Sequence, residues 1–388
     1  MPYRLFVLFC VLNSVSLSAE HSACEAQKSS QTEVGERVSL GRSLTTDNNP
    51  FPIFHPDAKY LRALVRLVTD EPCNWALYVR DSAFRPVQVL RKADFADGLR
   101  WTERIAGDHL VLDLHGCVGT SPRFKIDSYV EMPLAAKNPY YSKQDDIPTW
   151  HDLYQSDIKD RNAEPVPSAV KQLGDNVAFL MMTHDRRSWV CSGVMLRAGV
   201  LLTNWHCGGI EPLGSDQYWR NDIVHDTIAD ISWDGDLVSR EYEGVRLLAG
   251  DPSLDYALLQ MRQLNGSGEV SPVTLSKSDI ESNQRIYLIH HVEGMPKQLS
   301  ECHVTAKVIK DTRYAKNVEF GHNCDSEKGS SGGALFDDHG ELIGIHHAGF
   351  SLSSDCTQLD KENKAIRIKA IVEDIEHKDS TLYEKYLK

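Results

Sequence analysis

Short apolar stretches alternating near every second residue, separated by Gly, Asn, Asp and Pro turns, recur along most of this chain and commit it to β-structure. In the first third, 61–68 (LRALVRLV), 75–79 (WALYV), 87–90 (VQVL) and 109–114 (HLVLDL) read as strands, the last preceded by a Gly107-Asp108 turn. Further on, 177–182, 190–196, 199–203, 256–261, 285–290, 334–336 and 342–346 repeat the theme. That many short strands over about 220 residues suit a sandwich or a pair of barrels. The segment 364–375 (KAIRIKAIVEDI) has apolar residues near helical spacing and is expected as a C-terminal helix. Two stretches break the pattern. Residues 20–50 are rich in Ser, Thr, Gln and Asn and read as a flexible leader, and 136–165, rich in Pro, Asn, Asp, Ser and Tyr, as a linker. The division is then a small N-terminal β domain over 51–135 and a larger β domain over 166–388.

The ends and the cysteines speak to compartment. Arg4, the apolar run 5–12 (LFVLFCVL) and small residues at Ser16, Ser18 and Ala19 have the layout of a secretory signal peptide over 1–19. The apolar run is about half what a membrane span requires, so stable membrane insertion is not expected. Removing Cys10 with that segment leaves eight of nine cysteines, at 24, 73, 117, 191, 207, 302, 324 and 356. None forms a CxxC pair, which argues for disulfides in an oxidising, extracellular or periplasmic compartment rather than for zinc-ribbon or thioredoxin chemistry. Cys73 and Cys117 bracket most of the N-terminal β domain and are placed to tie it together. The histidine pairs 290–291 and 346–347 lack the spacing of a helix-borne metal set, so no metal or cofactor is expected. Asn265-Gly266-Ser267 reads as a turn as well as a glycosylation sequon. A formal charge of −13 argues against general nucleic-acid binding, which needs a basic face.

Three segments carry chemistry. In Gly329-Ser330-Ser331-Gly332-Gly333, glycines on both sides permit a tight turn that projects a hydroxyl while backbone amides converge on the same point. On that reading Ser331 is a nucleophile, and the N–H groups of Gly329 and Ser331 form an oxyanion hole. In Leu201-Leu202-Thr203-Asn204-Trp205-His206-Cys207 an apolar strand ends in a histidine, and Asp255-Tyr256-Ala257-Leu258-Leu259 opens a strand with an aspartate. Each segment alone is a common structural feature. Together, in the order His, Asp, Ser, they supply the base, orienting carboxylate and nucleophile that acyl transfer requires.

These segments resemble the histidine, aspartate and serine motifs of the trypsin/chymotrypsin family. The resemblance is closer to the secreted bacterial branch that includes the glutamyl endopeptidases, with its LTNxH and GxSG patterns. Gly344-Ile345-His346-His347-Ala348-Gly349 matches a further segment of that branch, and His291-Val292-Glu293-Gly294-Met295-Pro296-Lys297 another, with Val292 in place of a proline. The resemblance covers about 166–375. It implies an all-β, chymotrypsin-like double β-barrel with a cleft between the barrels, preceded here by the small β domain. It also implies a serine endopeptidase acting on protein or peptide substrates through His206, Asp255 and Ser331. Cys191 with Cys207 fits the disulfide of the histidine loop, and Cys302 with Cys324 a second bridge. Cys24 and Cys356 are left as the remaining pair. The alternative is an inactive homologue acting as a binding protein; its usual mark, a lost triad residue, is absent.

Two departures matter. Trypsin-like zymogens carry Asp just before the nucleophile to receive a new N-terminal ammonium, but Ser330 stands here and holds no charge. The region 20–165 is therefore expected to be a propeptide or accessory domain, not a trypsin-type activation peptide. For substrate binding, Asp325 occupies the position that selects basic side chains in trypsin-like enzymes. Ser326 and His346 occupy positions that read acidic side chains in glutamyl endopeptidases. Both specificities stay open.

Overall fold

The computed structural model of the chain describes residues 32–96, 98–116, 121–133, 158–160, 168–210, 212–233, 240–264, 270–294, 297–309, 317–349 and 362–388. The expected signal segment, Cys24, Cys117, Cys356 and the sequon at 265–267 lie outside these residues. Cys73 is disulfide-bonded.

The N-terminal unit contains β1 (Thr32–Leu44), β2 (Phe51–Phe54), β3 (Ala58–Thr69), β4 (Ala76–Arg80), β5 (Pro86–Leu90), β6 (Leu99–Trp101), β7 (Ile105–Ala106), β8 (His109–His115) and β9 (Arg123–Pro133). One sheet runs β1-β9-β3-β6 and a second runs β2-β8-β4-β5. Leu61, Ala63, Val65, Phe124 and Ile126 of the first meet Ile53, Leu77, Val79, Leu110 and Leu112 of the second in a dry core. The unit is thus a small sandwich, each strand turning alternate residues inward.

After β10 (Ile158–Asp160) and the short helix α1 (Ser168–Gly174) comes the first barrel. It comprises β11 (Val177–His184), β12 (Arg187–Arg197), β13 (Val200–Thr203), helix α2 (Asn221–His225), β14 (Ile228–Asp230), β15 (Glu241–Asp251) and β16 (Tyr256–Gln263). Its strands run β11-β14-β15-β16-β13-β12, and β12 returns to β11, which closes the cylinder. The second barrel comprises β17 (Arg285–His290), β18 (Gln298–Ala306), β19 (Glu319–His322), β20 (Ala334–Asp337), β21 (Leu342–Ala348) and β22 (Asn363–Arg367). It runs β18-β17-β20-β21-β22-β19 and closes through β18 and β19. Helices α3 (Ile368–Lys378) and α4 (Ser380–Tyr386) follow. These two closed barrels, the sandwich and the C-terminal helices are the chymotrypsin-like architecture that the resemblance implies.

Period-two alternation explains how the barrels dock. Leu201, Ala257 and Leu259 point into the first barrel. Their neighbours Val200, Leu202, Tyr256 and Leu258 face the other way and join Tyr287, Ile289, Phe336, Ile345 and Ile366 of the second barrel in one core. Strands covered on both faces read as nearly continuous apolar runs.

Two expectations need correction. The helix expected over 364–375 starts only at Ile368, because Asn363–Arg367 is β22, wedged between β19 and β21 to close the second barrel. Helical spacing holds from Ile368 through Ile371 to Ile375, all buried. Residues 20–50 are not a leader throughout, since Thr32–Leu44 form β1. Its composition hides this because β1 is held mainly by backbone ladders, to β12 on one edge and β9 on the other, with few buried side chains. Within 136–165, Ile158–Asp160 pairs with β18 and the remainder lies outside the described residues.

Through β1 the sandwich and the first barrel share an 11-stranded sheet. Tyr60, Leu64, Trp101, Val130 and Met132 pack on Phe179, Met181, Val190 and Ile228 across the seam. Ion pairs cross it, among them Arg62 with Glu241, Arg100 with Glu243 at 2.7 Å, Arg104 with Asp230 at 3.1 Å, and Arg37 with Asp226. The first two are almost wholly buried. Glu241→Leu alone, which strands the Arg62 guanidinium, is expected to cost about 3–5 kcal/mol in urea unfolding. Adding Arg62→Met should return most of that loss. An equal loss in the single and double variants would show that the pair is not its origin.

Candidate active site

β13 delivers His206 and β16 delivers Asp255 to the same end of the first barrel. Thr203 Oγ1 donates to the Ser192 carbonyl (2.8 Å), and the chain then turns through a short helical segment at His206–Gly208. The Cys191–Cys207 disulfide, with Cα atoms 6.2 Å apart, fixes that turn to β12. Asp255 sits at φ 44°, a left-handed conformation rare for a residue with a side chain. Asn204 Nδ2 holds it by donating to the Asp255 carbonyl at 2.9 Å.

The two side chains meet twice. Asp255 Oδ1 accepts the His206 backbone N–H at 2.9 Å, and Oδ2 accepts from His206 Nδ1 at 2.8 Å. Asp255 is 2% exposed and the His206 side chain 18%, so a buried carboxylate orients an imidazole that reaches solvent. Oδ2 also lies 3.2 Å from His347 Nδ1. Burial alone would raise the Asp255 pKa, but His206 and His347 together hold it well below the usual carboxylate range. Nδ1 of His206 is thereby committed to Asp255.

The serine loop is built by both barrels. Ser192 of the first barrel donates its N–H to the Ser331 carbonyl (2.7 Å) and its hydroxyl to the Gly329 carbonyl (2.8 Å). The same hydroxyl accepts the His291 N–H at 2.8 Å. Gly332 N–H donates to the His346 carbonyl, and His346 N–H to Gly333, both at 2.8 Å, which ties the loop to β21. Glycine is required at two positions. Gly329 has φ +90° and a Cβ there would lie 2.5 Å from the His291 carbonyl oxygen; Gly332 has φ +81° and would place Cβ 2.1 Å from that of Ser192. Among the described residues, neither the Gly329 nor the Ser331 N–H has an acceptor in the protein. Cys207, next to His206, places its sulfur 3.9 Å from the Ser331 carbonyl oxygen. The histidine turn and the serine loop are therefore packed together.

Ser330 is fully buried. Its hydroxyl accepts the Glu327 N–H at 3.0 Å and shares a hydrogen bond with His290 Nδ1 at 2.7 Å. This neutral pair stands where the resemblance would place a charged aspartate. Burial pushes the His290 pKa down to about 3. A second neutral pair lies on β19 and β21. His322 Nδ1 accepts the Cys324 N–H at 3.2 Å, so its Nε2–H faces His346 Nδ1 at 3.1 Å. Protonating either ring would set two N–H groups against each other. Burial, followed by His347 and His290, pushes His322 down to about 3, and burial with neighbouring histidines holds His346 well below its ordinary value.

The remaining residues expected from the sequence fall around this loop. Asp325 is buried, with its N–H donating to Ser300 Oγ at 2.9 Å; Ser326 and His346 are buried as well. Cys302 and Cys324 form a disulfide, joining β18 to the segment that leads into the serine loop. Sequence reasoning passed over Ser192 and Glu319. Ser192 stands in a Cys-Ser-Gly triplet whose only signal is its proximity to Cys191, and Glu319 in Glu319–His322 has none.

No curated protein matches this sequence. Among solved structures, Rv3671c from M. tuberculosis H37Rv, in an inactive form, is 14% identical over 55% of this chain and 96% of its own, with a TM-score of 0.40. Residues 191–345, which span His206, Asp255 and Ser331, match the family model of the trypsin-like peptidase domain, in agreement with the trypsin-like fold described above.

Proposed function

We propose that this chain is a secreted serine endopeptidase with His206, Asp255 and Ser331 as its catalytic residues. Ser331 Oγ attacks the peptide carbonyl as His206 Nε2 takes its proton, and the Gly329 and Ser331 N–H groups receive the developing oxyanion. Collapse breaks the C–N bond, His206 returns the proton to the leaving amine, and water repeats the sequence on the acyl-enzyme. The observation that carries this reading is the double anchorage of His206 on the buried Asp255 carboxylate. It fixes the tautomer and stabilises the imidazolium that forms during attack.

The signal-like segment 1–19 and the two disulfides of the barrels support export. Residues 166–388 serve as the protease domain and the sandwich as a retained accessory domain, a reading supported by the buried pairs at the seam. The uncharged Ser330–His290 contact supports the bacterial branch without ammonium-triggered activation. Asp325, Ser326 and His346 form the wall that reads the substrate side chain.

Labelling tests the reading. A fluorophosphonate probe added to the folded full chain should give one adduct, mapped by peptide mass spectrometry to Ser331, and none after heat denaturation. An adduct on a different serine would refute the assignment of Ser331. No adduct on folded protein would leave the inactive binding homologue as the better description.

A further inference from the structure

The geometry points to His347 and Glu319 as a second imidazolium–carboxylate pair that positions Asp255, extending the catalytic group into a line Glu319–His347–Asp255–His206. The inference rests on the proposed serine-peptidase reading and names two positioning residues for that reaction. Asp255 directly precedes β16 in the first barrel, whereas His347 lies near the end of β21 and Glu319 begins β19, both in the second barrel. The line therefore crosses from one barrel to the other at the catalytic centre.

Both ring nitrogens of His347 face carboxylate oxygens. Nδ1 is 3.2 Å from Asp255 Oδ2, and Nε2 is 2.7 Å from Glu319 Oε1. A neutral imidazole carries one N–H and would turn its other lone pair onto an anionic oxygen; the doubly protonated ring satisfies both contacts. The side chains of His347 and Glu319 are 0% and 1% exposed, so water does not substitute for either partner. Burial opposes the charge on His347, but its bonds to Asp255 and Glu319 outweigh burial and raise its pKa.

The charge count explains why a second carboxylate is present. Asp255 with His347 as imidazolium is a neutral pair, a poor counter-ion for the positive charge that His206 acquires when it takes the serine proton. Glu319 restores a net charge of minus one to the buried group, which becomes neutral overall when His206 is protonated. His347 also limits the freedom of Asp255. Oδ1 is held by the His206 N–H, and Oδ2 is shared between two rings, so the carboxylate plane is set by three donors. A purely structural ion pair would give stability; a positioning pair also controls how well Asp255 serves His206.

The test uses the full chain with Glu319→Gln and His347→Gln, compared on fluorescein-labelled casein and on the fluorophosphonate probe. Each variant is expected to lower kcat about 10- to 100-fold, with KM changed less than about 2-fold and probe labelling slowed in parallel. In proton NMR, downfield imidazole N–H resonances from two rings are expected, and His347→Gln should remove one set and keep that of His206. Unchanged kcat per folded molecule in Glu319→Gln, or a single ring in the downfield spectrum of the parent protein, overturns the inference. If His347→Gln does not fold, Glu319→Gln decides the matter, since it preserves volume and one hydrogen bond. A parent chain that neither cleaves casein nor labels sinks the peptidase reading itself, and the NMR arm still reports on the four-residue line.

Discussion

Ser331→Ala should reduce kcat by about 10⁶-fold while moving KM only a few-fold, because it deletes the proposed nucleophile and leaves the groups proposed to hold substrate and oxyanion. The fold should survive. The structural contacts of Ser331 run through its carbonyl, to the Ser192 N–H and the Cys207 sulfur, and alanine keeps that carbonyl. The Gly329 and Ser331 amides persist as well, so a slow residual hydrolysis about 10³- to 10⁴-fold above the uncatalysed rate is part of the expectation. Progress curves at several casein concentrations, with circular dichroism to verify folding, check both halves. Hydrolysis within about ten-fold of the parent enzyme would place the nucleophile elsewhere.

Mild acid should unfold this protein early. The folded pKa values of His290, His322 and His346 are all lowered by burial, the first two to about 3, against an unfolded value near 6.5. For depressed histidines the unfolded chain binds more protons below about pH 6.5. Their stabilisation is thus complete above that pH and is lost as pH falls towards the folded pKa values. The limiting slope for three such groups is about 4 kcal/mol per pH unit. His347 has the opposite sign: its raised pKa contributes stability fully present below about pH 6.5 and lost as pH rises through the folded value, so it does not offset the acid loss. Asp255, with its lowered pKa, adds to the loss only below about pH 4. Urea unfolding midpoints measured at about pH 7, 6 and 5 should fall steadily. A midpoint flat or rising over that range would mean that these rings are charged in the folded protein.

What could be read from the sequence follows from what pairs with what. Strands such as Val177–His184 and Tyr256–Gln263 announce themselves because both faces meet apolar partners. Glu241–Asp251 and Glu319–His322 look like turn or surface sequence, yet Glu241, Glu243 and Glu319 are buried. Their compensating charges, Arg62, Arg100 and His347, stand 179, 143 and 28 residues away along the chain. No window on the sequence contains both halves of such a pair. The same limit applies at the site. The segments around His206, Asp255 and Ser331 are each recognisable as short contiguous runs with their own turn chemistry. His347 is legible only as a histidine at a strand end, because its relation to Asp255 spans 92 residues and two barrels.

Ser192 carries a consequence for the order of events during folding. A strand residue of the first barrel bonds to the carbonyls of Gly329 and Ser331 in the second, so the serine loop has its full set of restraints only after the two cylinders have come together. The chain can then complete most of its β-structure while the serine loop is still unassembled. For the proposed peptidase, the reactive loop is thus among the last parts of the molecule to be restrained.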